Sequence, residues 1–220
     1  MSQLTFKFPF KTSYFEKDFF VSKNNFAVYK LIESWPNWPD KKINIFGPKG
    51  CGKTHLANIL FKKINSTIIK ADEIKSDFIE KTKQKKCLII DDYKNNVDEK
   101  LFYSILNQII QSDQYIVINS LKPIKKENIN LIDLKSRLES FIDFGIDLPT
   151  DDLLRVIITK SFSDMQIGIN TKLLEYIIKN IDRSYEKIFK FIREIDLISL
   201  STGKSININL IKKVLKNEKI

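Results

Sequence analysis

Short unbroken apolar runs alternate along this chain with stretches in which apolar residues recur every three or four positions. Ile43-Asn44-Ile45-Phe46 is the first run, and residues 55–61 then take up helical spacing. Residues 67–70 predict a second strand, with Asp72 placed to cap a following helix. Cys87-Leu88-Ile89-Ile90 is a continuous apolar run ending in Asp91-Asp92, as expected of a strand buried on both faces. Residues 97–112 carry helical periodicity through Leu101, Ile105, Leu106, Ile109 and Ile110. Residues 115–118 and 141–146 predict two further strands. Strands that alternate with helices predict an α/β fold, a parallel sheet with helices on both faces. Beyond Pro149 the pattern changes: residues 153–162, 171–180, 184–201 and 209–217 read as helices, punctuated by Gly168 and Gly203. The expected organisation is an amino-terminal segment 1–17, an α/β core 18–149 and a small all-helical lid 150–220.

Composition narrows this little. A chain of 220 residues, 43% hydrophobic and 29% charged, has enough apolar content for a sizeable core. It shows no apolar stretch long enough to span a bilayer and no secretory leader, so a cytoplasmic protein without membrane contact is expected. Its two cysteines, Cys51 and Cys87, make no metal or disulfide framework. The net charge of +10 invites a nucleic-acid reading, but Lys62-Lys63, Lys125-Lys126 and the lysines of residues 81–86 are scattered over connectors. Solvated faces, with at most weak non-specific DNA contact that salt abolishes, are the expectation.

Candidate chemistry gathers where the strands end. Gly47-Pro48-Lys49-Gly50-Cys51-Gly52-Lys53-Thr54 has the G-x-x-x-x-G-K-T spacing of a phosphate-binding loop, between a predicted strand and a predicted helix. That placement aims backbone N–H groups and the positive end of a helix at an anion. Lys53 is placed for the terminal phosphates of ATP or ADP and Thr54 for Mg2+. Asp91, at a strand end, is suited to hold Mg2+ directly or through water, and Asp92 to polarise an attacking water. Either is also what a turn-capping aspartate looks like. Asn119, before Ser120, reads equally as a residue that orients water against a terminal phosphate and as a turn residue leading to Pro123. Arg137 can neutralise charge on a transferring phosphoryl group, in this molecule or a neighbour, or be a solvated helix residue. His55, the only histidine, sits in the first turn after the loop, where packing or capping accounts for it. Cys51, near a helix N-terminus, has the position for a lowered thiol pKa but no assigned role.

These residues, taken together, resemble the AAA+ module of the replication initiator DnaA, and within that family the Hda type of regulator. The resemblance rests on Gly47 to Leu56 with its trailing His55-Leu56, on Leu88-Ile89-Ile90-Asp91-Asp92, on Asp133-Leu134-Lys135-Ser136-Arg137-Leu138 and on Thr202-Gly203-Lys204-Ser205-Ile206-Asn207-Ile208. It implies an AAA+ core with a helical lid, and an arginine finger at Arg137. Nucleotide contacts are implied along Gly47 to His55, with Mg2+ at Thr54 and Asp91 and catalytic roles for Asp92 and Asn119. The family's lid arginine falls gap-free on Glu186, a departure that leaves Arg183, one turn earlier, as its counterpart here. Gln3-Leu4-Thr5-Phe6-Lys7-Phe8 is similar to the peptide by which clamp partners bind the sliding clamp, the β subunit of DNA polymerase III. Gln3 supplies the amide and Leu4, Phe6 and Phe8 the alternating apolar anchors; an amphipathic edge strand has the same period. The chain ends near Ile220, where an initiator is expected to continue into a DNA-binding domain. The implied partners are therefore the clamp, DnaA itself and, because a finger acts across an interface, a second copy in a homodimer. The competing expectations are an autonomous ATPase such as a helicase loader, and a truncated initiator that binds DNA.

Overall fold

The computed structural model describes residues 14, 16–75, 78, 84–202 and 206–217. Gln3, Leu4, Phe6 and Phe8 lie outside the described residues, as does 203–205 of the last resemblance motif. The chain divides into two compact units that meet in sequence at Asp147 and Leu148.

The first unit is built on five parallel strands: β1 (Lys42–Phe46), β2 (Ser66–Lys70), β3 (Cys87–Tyr93), β4 (Tyr115–Ser120) and β5 (Ile142–Gly145). Their spatial order is β2-β3-β4-β1-β5, so β3, β4 and β1 are interior. Among the described residues, helices α1 (Phe26–Glu33), α2 (Lys53–Lys63), α3 (Glu99–Gln111) and α4 (Ile132–Glu139) connect and flank them. Successive side chains on a strand face opposite ways. Leu88, Ile90, Ile116 and Ile118 accordingly share one apolar cluster with Phe102, Ile105, Leu106 and Ile109 of α3 and Leu134 and Leu138 of α4. The residues of opposite parity, Ile43, Ile45, Ile89 and Val117, are buried as well, and α1 and α2 bury Val28, Leu31, Ile32, Leu56, Ile59 and Leu60. The interior strands are apolar on both faces because both are covered.

Away from the strand ends, one buried position of the interior strands breaks the apolar rule. Asn44 of β1 has no solvent exposure. Its amide nitrogen donates to the Ile118 carbonyl and the Ser120 hydroxyl, each at 2.8 Å, and its oxygen accepts from the Ile124 N–H at 3.1 Å. A buried amide is tolerated when its donors and acceptor are matched, and here the match ties β1 to the end of β4 and to the turn beyond it.

Several element boundaries differ from the sequence expectation. The run expected to stop at Ile90 continues as strand through Tyr93, because a register shift between Ile90 and Tyr93 absorbs an irregularity. β4 likewise runs through Asn119 and Ser120, so neither is a turn residue. α3 starts at Glu99, two residues late, since the Asp98 carboxylate caps it by accepting from the Leu101 N–H at 2.9 Å. Asp72 lies within a 3-10 turn, Ala71–Glu73, and most of the residues following Lys75, where the helix it was expected to cap would lie, are outside the described residues. Helix α1 was not anticipated.

The second unit contains α5 (Asp151–Asp164), α6 (Thr171–Asn180), α7 (Tyr185–Thr202) and α8 (Ile208–Asn217). Thr150 and Asn170 cap α5 and α6 through their side-chain oxygens. Leu154, Ile158, Phe162, Ile177, Ile188, Phe191, Ile195, Ile211 and Val214 close its own apolar core. Among the described residues no helix is long and apolar enough to cross a membrane. Several lysines are paired locally: Lys63 with Glu16, Lys125 with Asp143 and Lys41 with Asp113.

Replacing Asn44 with Ala strands buried partners on β4 and at Ile124. The expected loss is about 2–4 kcal/mol in urea unfolding. A loss below about 1 kcal/mol would contradict the role given to this amide.

Candidate nucleotide-binding site

The polar groups of the first unit converge where β1, β3 and β4 end, the edge at which open parallel sheets bind ligands. Gly47 follows β1, and its N–H donates to the Ser120 carbonyl of β4 at 3.3 Å. A β-carbon on Gly47 would stand 2.7 Å from the Ile146 carbonyl oxygen, so only glycine lets the loop leave the sheet this closely. The chain passes Pro48, the exposed Lys49 and Gly50, then caps α2 with Gly52 at φ 101°, a left-handed conformation that favours glycine. No side chain caps α2, so its first N–H groups are left for an anion. The Lys53 ammonium lies across the loop and donates to the carbonyls of Gly47 at 2.7 Å and Pro48 at 3.1 Å.

Thr54, Asp91 and Asn119 form one continuous set. The Thr54 hydroxyl donates to Asp91 Oδ2 at 2.7 Å, and the Asn119 amide donates to Asp91 Oδ1 at 2.9 Å. Strand parity explains the meeting. Asp91 and Asn119 stand two residues beyond Ile89 and Val117, hence on the same sheet face as one another. Asp91 and Asn119 are both buried, and Asn119 Oδ1 has no hydrogen-bond partner among the described residues. A buried, unmatched acceptor of this kind is suited to an ordered water or a ligand.

The donor set fits Mg2+ with a nucleotide. Magnesium–oxygen bonds of 2.0–2.1 Å put neighbouring ligands of an octahedron about 2.9 Å apart, close to the Thr54–Asp91 spacing. Magnesium takes one or two carboxylates and completes its shell with phosphates and water. No group of three or more His, Cys, Asp or Glu side chains converges among the described residues, so a protein-only metal cage is absent there.

The remaining sequence candidates are placed differently. Asp92 is exposed, has a left-handed φ of 58° and pairs with Lys94 at 2.7 Å. That ion pair pushes the Lys94 ammonium above its usual range. His55 packs its ring edge-on to Tyr14 and Phe19, each at 5.4 Å between centroids. Cys51 is buried, and desolvation pushes its thiol up, with Lys53 opposing, which corrects the expectation of a lowered thiol pKa. Arg137 is exposed in the last turn of α4 and bonds to Asn107. Arg183 lies in the helical unit and pairs with Asp151 at 2.8 Å. Sequence reasoning missed Phe19, whose ring stands 2.8 Å from where a β-carbon on Gly52 would be. No local pattern marks that contact, which spans more than thirty residues. It also missed Asn44, although a lone amide inside an apolar strand is a usable signal.

With this geometry in view, the comparisons are specific. An RNA helicase family model matches residues 43–128, from β1 to just beyond β4. The chromosomal replication initiator protein DnaA of Buchnera aphidicola subsp. Baizongia pistaciae is 27% identical over 244 residues, covering 98% of this chain and 53% of that protein. The chain thus spans about half the length of the curated relatives it matches. Domain III of Thermotoga maritima DnaA superposes with a TM-score of 0.77 at 20% identity, covering 96% and 98% of the two chains. AMPPCP-bound DnaA from Aquifex aeolicus gives 0.70 at 19% identity, covering 94% and 69%.

Replacing Asp91 with Ala removes the carboxylate shared by Thr54 and Asn119. Nucleotide titrations with and without Mg2+ should then show the magnesium-dependent gain in affinity fall about tenfold or more. An unchanged gain would remove Asp91 from the metal site.

Proposed function

Starting from a DnaA-like AAA+ fold, we propose that this chain is a nucleotide-bound regulator of replication initiation of the Hda type. In this reading Gln3, Leu4, Phe6 and Phe8 bind the sliding clamp, and Arg137 stimulates ATP hydrolysis on the initiator DnaA. The bound nucleotide and its Mg2+ supply the negative charge and the bridging cation around which the loop is organised. Gly47 to Thr54 hold that charge, Thr54 and Asp91 are the metal-side groups, and Asn119 holds Asp91 in place.

The observation that carries the reading is the contrast between Asp92 and Arg137. The carboxylate in the general-base position is turned to solvent and engaged by Lys94 at 2.7 Å. A carboxylate turned to solvent and engaged by a lysine is poorly placed to take a proton from a water attacking a bound phosphate, which favours slow turnover on this chain's own loop. Arg137, by contrast, is exposed on α4, where a second molecule can reach it. An arginine supplied in trans is worth roughly a thousandfold or more in phosphoryl-transfer rate. The likeness to DnaA supports, as the partner in this reading, a module of the same architecture. Arg183 is retained in this proposal as the lid arginine, released from Asp151 to act on nucleotide.

The rival reading, an autonomous ATPase such as a helicase loader, draws on the intact Lys53, Thr54, Asp91 and Asn119 set. A reconstituted assay with clamp on DNA and ATP-loaded DnaA separates the two. Arg137→Ala should keep nucleotide and clamp binding and lose stimulation by roughly a thousandfold. Gln3→Ala/Leu4→Ala/Phe6→Ala should lose clamp pull-down while its nucleotide affinity stays unchanged. Full stimulation by Arg137→Ala would sink the mechanism, and clamp binding by the triple variant would remove the peptide from it.

A further inference from the structure

Arg137 belongs to a helix that is strapped to its neighbour at both ends. At the start of α4, Glu99, the first residue of α3, accepts from the backbone N–H groups of Asn130 at 3.0 Å and Leu131 at 2.7 Å. At the end of α4, Asn107 Oδ1 of α3 accepts from Arg137 Nε at 3.1 Å. Glu99 and Asn107 are eight residues apart, about 12 Å along one helix axis and near the same face. Leu134, between the two straps, and Leu138, just past the second, are buried in one apolar cluster with Phe102, Ile105, Leu106 and Ile109 of α3. The backbone at Arg137 is fixed as well: its carbonyl accepts from the Ser140 hydroxyl at 2.7 Å and the Ser140 N–H at 3.3 Å.

This arrangement does something particular to the guanidinium. The group is planar, and its Nε–H lies in the plane with the two terminal nitrogens. A bond at Nε therefore sets the direction of the whole fork while sparing the terminal nitrogens. A free arginine samples many rotamers and loses that freedom on docking. One held at Nε has already lost part of it, which is how positioning groups raise rates.

We propose that Asn107 is a positioning residue for Arg137: it aims the guanidinium fork of this chain at the phosphates of a partner's nucleotide. The inference rests on the reading of Arg137 as a finger acting in trans. It adds a second residue, on a different helix, without which the arginine is present but misdirected. Asn107 touches no phosphate itself. Its acceptor oxygen is the needed feature, so aspartate, with the same shape and a stronger acceptor, keeps the function.

The test uses the full chain in the clamp-and-initiator assay, with Arg137→Ala, Asn107→Ala and Asn107→Asp in parallel. The maximal stimulated rate and the concentration of half-stimulation are read separately, beside melting temperature and nucleotide affinity. Asn107→Ala is expected to lower the maximal rate between about tenfold and a hundredfold. Half-stimulation, melting temperature and nucleotide affinity should stay put. Asn107→Asp should restore the rate to within about threefold. Full stimulation by Asn107→Ala beside a dead Arg137→Ala overturns the positioning role and leaves the finger intact. Equal losses in both Asn107 variants with lowered melting temperatures overturn it in favour of a packing role. Full stimulation by Arg137→Ala overturns the finger reading and the inference with it.

Discussion

The carboxylate of Asp91 is the point on which the candidate nucleotide site depends. It is buried at the end of an interior strand and accepts from Thr54 on one oxygen and Asn119 on the other. A buried carboxylate is costly unless such partners stabilise its charge. Here the partners come from the two elements that a phosphate site must hold in register, the helix after the loop and the next strand. Thr54 and Asn119, the two groups that satisfy Asp91 within the fold, form with it the set that a magnesium-nucleotide would engage.

That requirement reaches into the sheet. Asp91 and Asn119 meet because β3 and β4 are adjacent and parallel and because the two residues share strand parity. The end of β4 is in turn pinned by Asn44, whose amide takes up the Ile118 carbonyl, Ser120 and the Ile124 N–H. The buried polar groups Asp91, Asn119 and Ser120 thus lie at the ends of the interior strands, and Asn44 ties β1 to them. Stability and placement of the site are supplied by the same interior contacts, which is why a strand-end substitution here affects both.

Much of this was legible in the residues. Continuous apolar runs marked the interior strands because they are covered on both faces, and the glycine spacing of the phosphate loop survives in any strand–loop–helix context. The ends of β3 and β4 were not legible. Asp91, Asp92, Asn119 and Ser120 are turn-forming residue types by local propensity. Sheet pairing and the Asp91–Asn119 bond override that propensity and draw them into strand. α1 escaped notice because its apolar face is short. Contacts between distant segments, Phe19 over Gly52 and Asn107 on Arg137, leave no periodic trace at all. The proposed clamp-binding segment, Gln3 to Phe8, stands on its pattern alone.

The two acidic neighbours on β3 divide the labour in the proposed account. Asp91 faces inward and organises the loop, while Asp92, in left-handed backbone at the register shift, faces Lys94 and solvent. On that proposal the loop serves as a nucleotide-dependent brace, and the hydrolysis it promotes takes place on another molecule's phosphate loop. The most direct measurement is phosphate release from ATP-loaded DnaA mixed with this chain carrying Asp92→Ala. The account predicts stimulated release equal to that of the unsubstituted chain, because the reacting phosphate is not held beside Asp92. A fall in release that follows the loss of Asp92 would place the chemistry on this chain's own loop and contradict it.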